Sequence, residues 1–220
     1  KEVSLKEKTK IGVITFEPHP KCYFSKEYNF FRLTPFREKF EILKKTGIDF
    51  MINIKFDANF LKRSAFDFIK NNLVQELRVS NVITGFDFVF GNKKVGNVNF
   101  MNDYVKKTNE FKFFVVPEVK NNDELAISSS NIRKYLRKGK IEHANLLLTR
   151  KWTISGKVVE GAKKAREIGF KTANIKMNDF CNMRHGVYLV SVKLLKNFNG
   201  KDFFGIGVDV SKKSIEICKI

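Results

Sequence analysis

The sequence predicts an α/β unit with a parallel sheet over residues 1–149, followed by a small antiparallel β unit of barrel type over residues 150–220. Three observations carry this. Short β-branched apolar runs alternate with helix-forming stretches as far as Arg150, the rhythm of parallel strands covered on both faces. Helical periodicity then stops. Beyond it Trp152 to Glu160 and Gly186 to Leu195 alternate like half-buried strands, and Phe203 to Val210 and Ser214 to Ile220 continue in the same style.

In order along the chain, Lys1 to Lys10 reads as the tail of a helix, and since residue 1 is not Met the chain is expected to be a fragment. The run IGVITF (Ile11 to Phe16) is a strand ended by the two prolines of FEPHP (Phe16 to Pro20). Thr34, Pro35 and Gly47 bracket a helix as cap, first-turn proline and glycine stop. Strand IDFMINI (Ile48 to Ile54) follows. Ser64 and Asp67 make a capping box for a helix ending near Leu77, NVITG (Asn81 to Gly85) is the next strand, and FKFFVV (Phe111 to Val116) is the last before a Ser-rich helix.

Composition excludes several classes. No stretch of eighteen apolar residues and no signal-peptide pattern argues for a membrane, so the default is a cytoplasmic protein. Cys22, Cys181 and Cys218 are odd in number and widely spaced, which predicts reduced thiols, no disulfide and no zinc. The formal charge is +19, the balance of a nucleic-acid binder. Yet only 9 of the 42 basic residues are Arg, and abundant Lys, Asn, Phe and Ile are what A+T-rich codons supply, so composition explains the charge without a nucleic-acid partner.

Two stretches look built for phosphate. ISSSNIR (Ile127 to Arg133) opens a helix whose first-turn N–H groups lack intrahelical partners; Ser128 and Ser129 add hydroxyls and Arg133 a fork of donors one turn in. Read alone, the two serines equally well only cap the helix. In SGKVVEGAKKAREIGFKTANI, Gly156, Gly161 and Gly169 are set among basic residues, and Thr172 and Asn174 are two oxygen-bearing side chains suited to Mg²⁺ that carries nucleotide phosphates. Alone, that pair more often marks a surface turn.

FEPHP, RLTPFREK (Arg32 to Lys39), GFDFVFGNKKVG (Gly85 to Gly96), ISSSNIR, SGKVVEG (Ser155 to Gly161), IGFKTANI (Ile168 to Ile175) and GVYLV (Gly186 to Val190) occur in that order. Together they resemble the bacterial bifunctional riboflavin kinase/FMN adenylyltransferases, also called FAD synthetases. The resemblance implies a Rossmann-like nucleotidyltransferase domain joining AMP from ATP to FMN, then a β-barrel that phosphorylates riboflavin with ATP and Mg²⁺. It implies that Ser128, Ser129 and Arg133 hold triphosphate, and that Gly85, Asp87, Phe88, Phe90 and Gly91 form a flavin-side loop. It further implies that Gly161, Gly169, Thr172 and Asn174 hold nucleotide phosphate, Thr172 and Asn174 also Mg²⁺, and that Glu216 is the kinase's catalytic carboxylate. Its partners would be small molecules: riboflavin, FMN and ATP.

The departures from that pattern carry expectations too. The family's early H-x-G-H segment has no counterpart, because His19, His143 and His185 are far apart, so adenylylation is expected to be lost in this chain. Gly161 to Arg166 (GAKKAR) lacks two of the family loop's glycines, Lys171 replaces a proline, and Gly205 to Lys213 (GIGVDVSKK) departs from the segment before the carboxylate. The C-terminal barrel is expected to be incomplete.

Overall fold

In a computed structural model, residues 1–26, 31–120, 125–156, 158–159, 174–177, 179–196 and 202–207 are described. The elements begin with α1 (Glu2–Glu7), β1 (Gly12–Glu17), α2 (Pro20–Ser25), α3 (Phe36–Lys45), β2 (Phe50–Lys55), α4 (Ala58–Leu61) and α5 (Ala65–Asp67). A π-helical stretch, Phe68–Glu76, leads to β3 (Asn81–Gly85), β4 (Val89–Phe90), a 3-10 turn at Asn92–Lys94, β5 (Gly96–Asn97), α6 (Val98–Thr108) and β6 (Lys112–Val116). Then come α7 (Ser129–Arg137), α8 (Ile141–Leu148), β7 (Thr153–Gly156), β8 (Val158–Val159), β9 (Asn174–Ile175), β10 (Ser191–Lys196) and β11 (Asp202–Gly207). The chain divides into two compact units, Ile14–Ser25 with Asn53–Ala126, and Lys1–Val13 with Lys26–Ile52 and Ile127–Ile220.

The first of these is built on aromatic side chains. Ala65, Phe68, Ile69, Leu73, Phe90, Met101, Tyr104 and Phe111 form its buried core, with Phe16, Phe60, Phe88 and Phe100 packed around it. Edge-on and tilted ring contacts link Phe60 to Phe68 and Phe68 to Phe90, the geometry aromatic quadrupoles favour. Strands β3 and β6 pair in parallel from Asn81 opposite Lys112 to Gly85 opposite Val116, with α6 in the connection between them. Alternation sends Val82 and Phe113 to the core and Ile83 and Phe114 to the other side, where they are 55% and 40% exposed. Full coverage of both faces is therefore corrected: this outer one is only partly covered among the described residues.

The capping box is present as expected. Ser64 Oγ accepts from the Asp67 N–H at 3.0 Å and Asp67 Oδ2 accepts from the Ser64 N–H at 3.3 Å. The helix ends with Leu77 as its C-cap, but Phe68–Glu76 is wound wider than an α-helix. In that wide stretch lies Asn72, a buried polar side chain, accepting from Arg63 Nη1 and donating to Glu76 Oε2.

The second unit centres on an α-hairpin and a small sheet. Ile132 and Leu136 of α7 and Ile141, Ala144 and Leu147 of α8 are all buried, at spacings that form one face on each helix. Strands β10, β11 and β7 form an antiparallel sheet in that order, and β8 pairs antiparallel with β9. The antiparallel style expected after Arg150 is present. Residues Gly186 to Val190, however, are not a strand: the Arg184 N–H bonds the Leu136 carbonyl, and the Tyr188 hydroxyl donates back to the Arg184 carbonyl at 2.6 Å, which folds the segment onto itself. Ser214 to Ile220 lies outside the described residues.

Strands β1 and β2 pair with each other. They run in the same direction, since the Ile11 carbonyl accepts from Phe50 N–H at one end and the Glu17 carbonyl from Phe56 N–H at the other. The parallel strands thus form separate pairs, β1 with β2 and β3 with β6. The cap expected at Thr34 is also corrected: α3 begins one residue later with Pro35, which has no N–H to donate, at its N-cap, and the Thr34 hydroxyl accepts from Arg150. Gly47, at φ +73°, is the expected glycine stop.

Candidate functional site

Helix α7 opens as the Ser-rich stretch requires. Ser128 is the N-cap in extended conformation, its Oγ accepting from the Asn131 N–H at 3.2 Å. Capping and phosphate binding are therefore not alternatives here: the cap uses an oxygen lone pair and leaves the hydroxyl proton to donate. Ser129 and Ser130 are exposed on the first turn, where N–H groups run off the end of the helix. Arg133 follows, half-buried, with Nε donating to the Phe31 carbonyl at 2.8 Å and its guanidinium 4.1 Å from the Phe31 ring centre. Arg133 stands one helical turn after Ser129, on the same side of α7. The arrangement suits an oxyanion.

Around this turn the second unit gathers residues that no sequence motif joins. Trp152 is fully buried, with Nε1 donating to the Leu33 carbonyl at 2.9 Å and an edge contact to Phe180. The Cys181 N–H donates to the Arg32 carbonyl at 2.6 Å, and Arg32 bridges Phe180 in parallel. Arg150 Nη2 donates to Thr34 Oγ1 at 2.7 Å, and Ser155 Oγ donates to Glu38. Burial pushes the Cys181 thiol up, with Arg137 and Arg133 pulling the other way. Cys22 and Cys181 are buried, and neither is in a disulfide.

The loop expected on the flavin side is a turn leading into a hairpin. Phe86 N–H bonds the Val116 carbonyl and Phe88 N–H the Gly85 carbonyl, which leaves Asp87 exposed at the tip. Phe88 stacks on Phe90 with ring centres 5.1 Å apart. Phe90 itself is only 8% exposed and belongs to the core, so it shapes the loop from beneath while Asp87 and Phe88 lie nearer its surface. Gly91 has φ +72°, and a Cβ there would lie 2.6 Å from the Ala65 backbone nitrogen. Only glycine fits.

Of the second phosphate stretch, Asn174 is described and Gly161, Gly169, Thr172 and Glu216 are not. Asn174 is exposed on β9, paired with Val159 on β8, so the two ends of the glycine-punctuated segment stand side by side. Gly156 lets this happen: a Cβ on it would come within 2.6 Å of Ile175 Cγ2. Two of the histidines have local roles. His19 Nδ1 accepts from the Lys21 N–H, and His143 stacks on Tyr135. Among the described residues no three His, Cys, Asp or Glu side chains cluster as metal ligands, and no helix is long and apolar enough to cross a membrane.

The chain matches two family models in tandem, FAD synthetase over residues 1–131 and riboflavin kinase over residues 148–218. It is 37% identical over 194 residues to the bifunctional riboflavin kinase/FMN adenylyltransferase of Buchnera aphidicola subsp. Schizaphis graminum, covering 88% of this chain and 61% of that protein. To the enzyme of the same description from B. aphidicola subsp. Acyrthosiphon pisum it is 35% identical, covering 96% and 66%. To that of Listeria monocytogenes it is 33% identical, covering 100% and 69%. The chain thus spans about two thirds of the length of these relatives. A crystal structure of a macrolide-efflux protein from Streptococcus pneumoniae is similar in fold over 97% of this chain and 74% of its own, with a TM-score of 0.72 at 23% identity.

Proposed function

Because the chain belongs to the FAD synthetase family of bifunctional riboflavin kinase/FMN adenylyltransferases, we propose that it serves flavin cofactor synthesis, with residues 1–149 of adenylyltransferase type and residues 150–220 of riboflavin kinase type. The observation that supports this most is the order of the two family matches along one chain, with Ser128 and Ser129 at the end of the first, Arg133 two residues past it, and the Thr172–Asn174 pair in the second. Its substrates are riboflavin, FMN and ATP, and its setting is the cytoplasm.

In the kinase reaction the 5′-hydroxyl oxygen of riboflavin bonds to the γ-phosphorus of ATP, the bond to the bridging oxygen breaks, and ADP leaves with that electron pair. Glu216 accepts the hydroxyl proton, a role taken from the family resemblance. The same resemblance assigns Gly161 and Gly169 to the phosphates. Asn174 offers an exposed amide oxygen and Thr172 a hydroxyl, hard donors of the kind Mg²⁺ takes. The ion, when bound, spreads the negative charge of the phosphates. A closed barrel would complete this half around the sheet of β10, β11 and β7.

The adenylyltransferase half retains the triphosphate turn, Ser128, Ser129 and Arg133, and the flavin-side loop of Gly85, Asp87, Phe88, Phe90 and Gly91. No H-x-G-H occurs among these 220 residues, and FAD formation by them alone is expected to be lower by several powers of ten. The test is product analysis with riboflavin, FMN and Mg-ATP. ATP-dependent FMN formation, abolished by Thr172→Ala and Asn174→Ala, supports the reading; turnover unchanged in both variants rejects the site assignment. FAD made from FMN and ATP at a useful rate would reject the loss of the first activity.

A further inference from the structure

Four successive residues, Phe31 to Thr34, are each gripped by a side chain or amide from much later in the chain. The Phe31 carbonyl accepts from Arg133 Nε, 102 residues on, and the Leu33 carbonyl from Trp152 Nε1, 119 residues on. The Arg32 carbonyl accepts from the Cys181 N–H, and Thr34 Oγ1 from Arg150. One end of this short segment therefore holds the arginine of the α7 turn. The other three contacts lead to Arg150, Trp152 and Cys181, all inside the residues matched to riboflavin kinase.

We propose that Phe31–Thr34 is a clasp through which an oxyanion bound at the α7 turn stiffens the Phe180–Arg184 segment of the kinase-type half. The proposal rests on reading α7 as a phosphate site. Arg133 stands one helical turn after Ser129 and its Nε donates to the Phe31 carbonyl, so an oxyanion that also engages the guanidinium fixes the side chain without breaking that bond. A fixed Arg133 holds the Phe31 ring and carbonyl. Arg32 is the next residue, and its carbonyl is the acceptor for Cys181. Arg184 is tied in turn to the far end of the helix that carries Arg133, through the Leu136 carbonyl. Two grips on the 180–184 segment thus run to Arg133's neighbours, the residue after Phe31 and the helix that carries Arg133, while a third is the Trp152 ring against Phe180. Linkage makes the effect reciprocal: whatever orders Phe180–Arg184 tightens oxyanion binding at α7.

The experiment is amide hydrogen exchange on the 220-residue chain with and without saturating inorganic tripolyphosphate, its binding followed separately by calorimetry. Exchange at the Cys181 and Arg184 amides is expected to slow about five-fold or more, while β3 and β6 amides change little. In Phe31→Ala the anion still binds, and the slowing at Cys181 falls to less than half. Three results overturn the proposal: binding with no change at Cys181, an equal slowing everywhere that marks only global stabilisation, or an unreduced effect in Phe31→Ala. Failure of the anion to bind at all overturns the phosphate reading of α7 and the clasp with it, which separates the two.

Discussion

Arg133 donates from Nε to the main-chain carbonyl of Phe31 at 2.8 Å while its guanidinium lies 4.1 Å from the centre of the Phe31 ring. A lysine at this position keeps the charge and loses both the planar stack and the fork. Arg133→Lys is therefore expected to weaken tripolyphosphate binding about ten-fold and to lower stability by about 1–2 kcal/mol, read by calorimetry and by urea unfolding. Affinity unchanged by the substitution would mean that charge alone matters at this turn.

Trp152 has no exposed surface, and its indole N–H satisfies the Leu33 carbonyl. Trp152→Ala should cost about 3–5 kcal/mol through the cavity and the lost bond. Trp152→Phe keeps most of the volume and leaves the carbonyl unpaired, for a cost of about 1–3 kcal/mol. Urea midpoints that failed to rank wild type above Phe above Ala would contradict the burial.

Glu110 accepts from Lys70 Nζ at 2.5 Å and from the Tyr104 hydroxyl. Burial first, then this hydrogen bond and the Glu110 charge, push the Tyr104 phenol up to about 12. The folded state holds that proton more tightly than the unfolded one, so its contribution to stability is complete below the ordinary phenol value of 10.0 and is lost as pH rises from there to about 12. Glu110 is held low, mainly by Lys70 and then by Tyr104, so its contribution is present above the ordinary value of 4.5 and fades as pH falls below it. Unfolding titrations should show Tyr104→Phe with a flatter alkaline arm than wild type and an unchanged acid arm beyond the loss of its bond to Glu110. Parallel alkaline arms would refute the Tyr104 assignment.

Gly91 and Gly85 flank the same loop and should respond differently to alanine. At Gly91 the backbone is left-handed and a Cβ would strike Ala65, where α5 begins. Gly91→Ala is expected to cost more than about 1 kcal/mol. At Gly85 the nearest obstacle is Asp87 Oδ1 at 3.2 Å, the end of an exposed side chain that can turn away. Gly85→Ala should keep the melting temperature within a few degrees of wild type, and equal losses in the two variants would show that the loop is not held at Gly91.

Local chemistry is legible in the sequence where it acts over a few residues. NVITG is strand β3, Ser64 with Asp67 is a capping box, and Ser128 is an N-cap, because each depends on neighbours within one helical turn or on alternation along one strand. Helix α6 escapes such reading although Gly91, Gly96 and the Asn97 cap, which accepts from the Phe100 N–H, stand just before it, because its apolar positions continue a Phe-rich run. The widened turn at Phe68–Glu76 leaves no mark in periodicity. Nothing in the sequence links Phe31 to Arg133 or Leu33 to Trp152, since such pairs are set by how two distant segments meet. The bond from Arg150 to the Thr34 hydroxyl, 116 residues away, is unreadable for the same reason.

The bond from Trp152 to Leu33 also sets an order of events during synthesis. A ribosome delivers roughly 5–20 residues per second, so Leu33 emerges on the order of ten seconds before the indole that will cover it, 119 residues later. Until then its carbonyl must remain hydrated and its neighbours open to chaperones, and a nascent chain halted just short of position 152 would display that surface indefinitely.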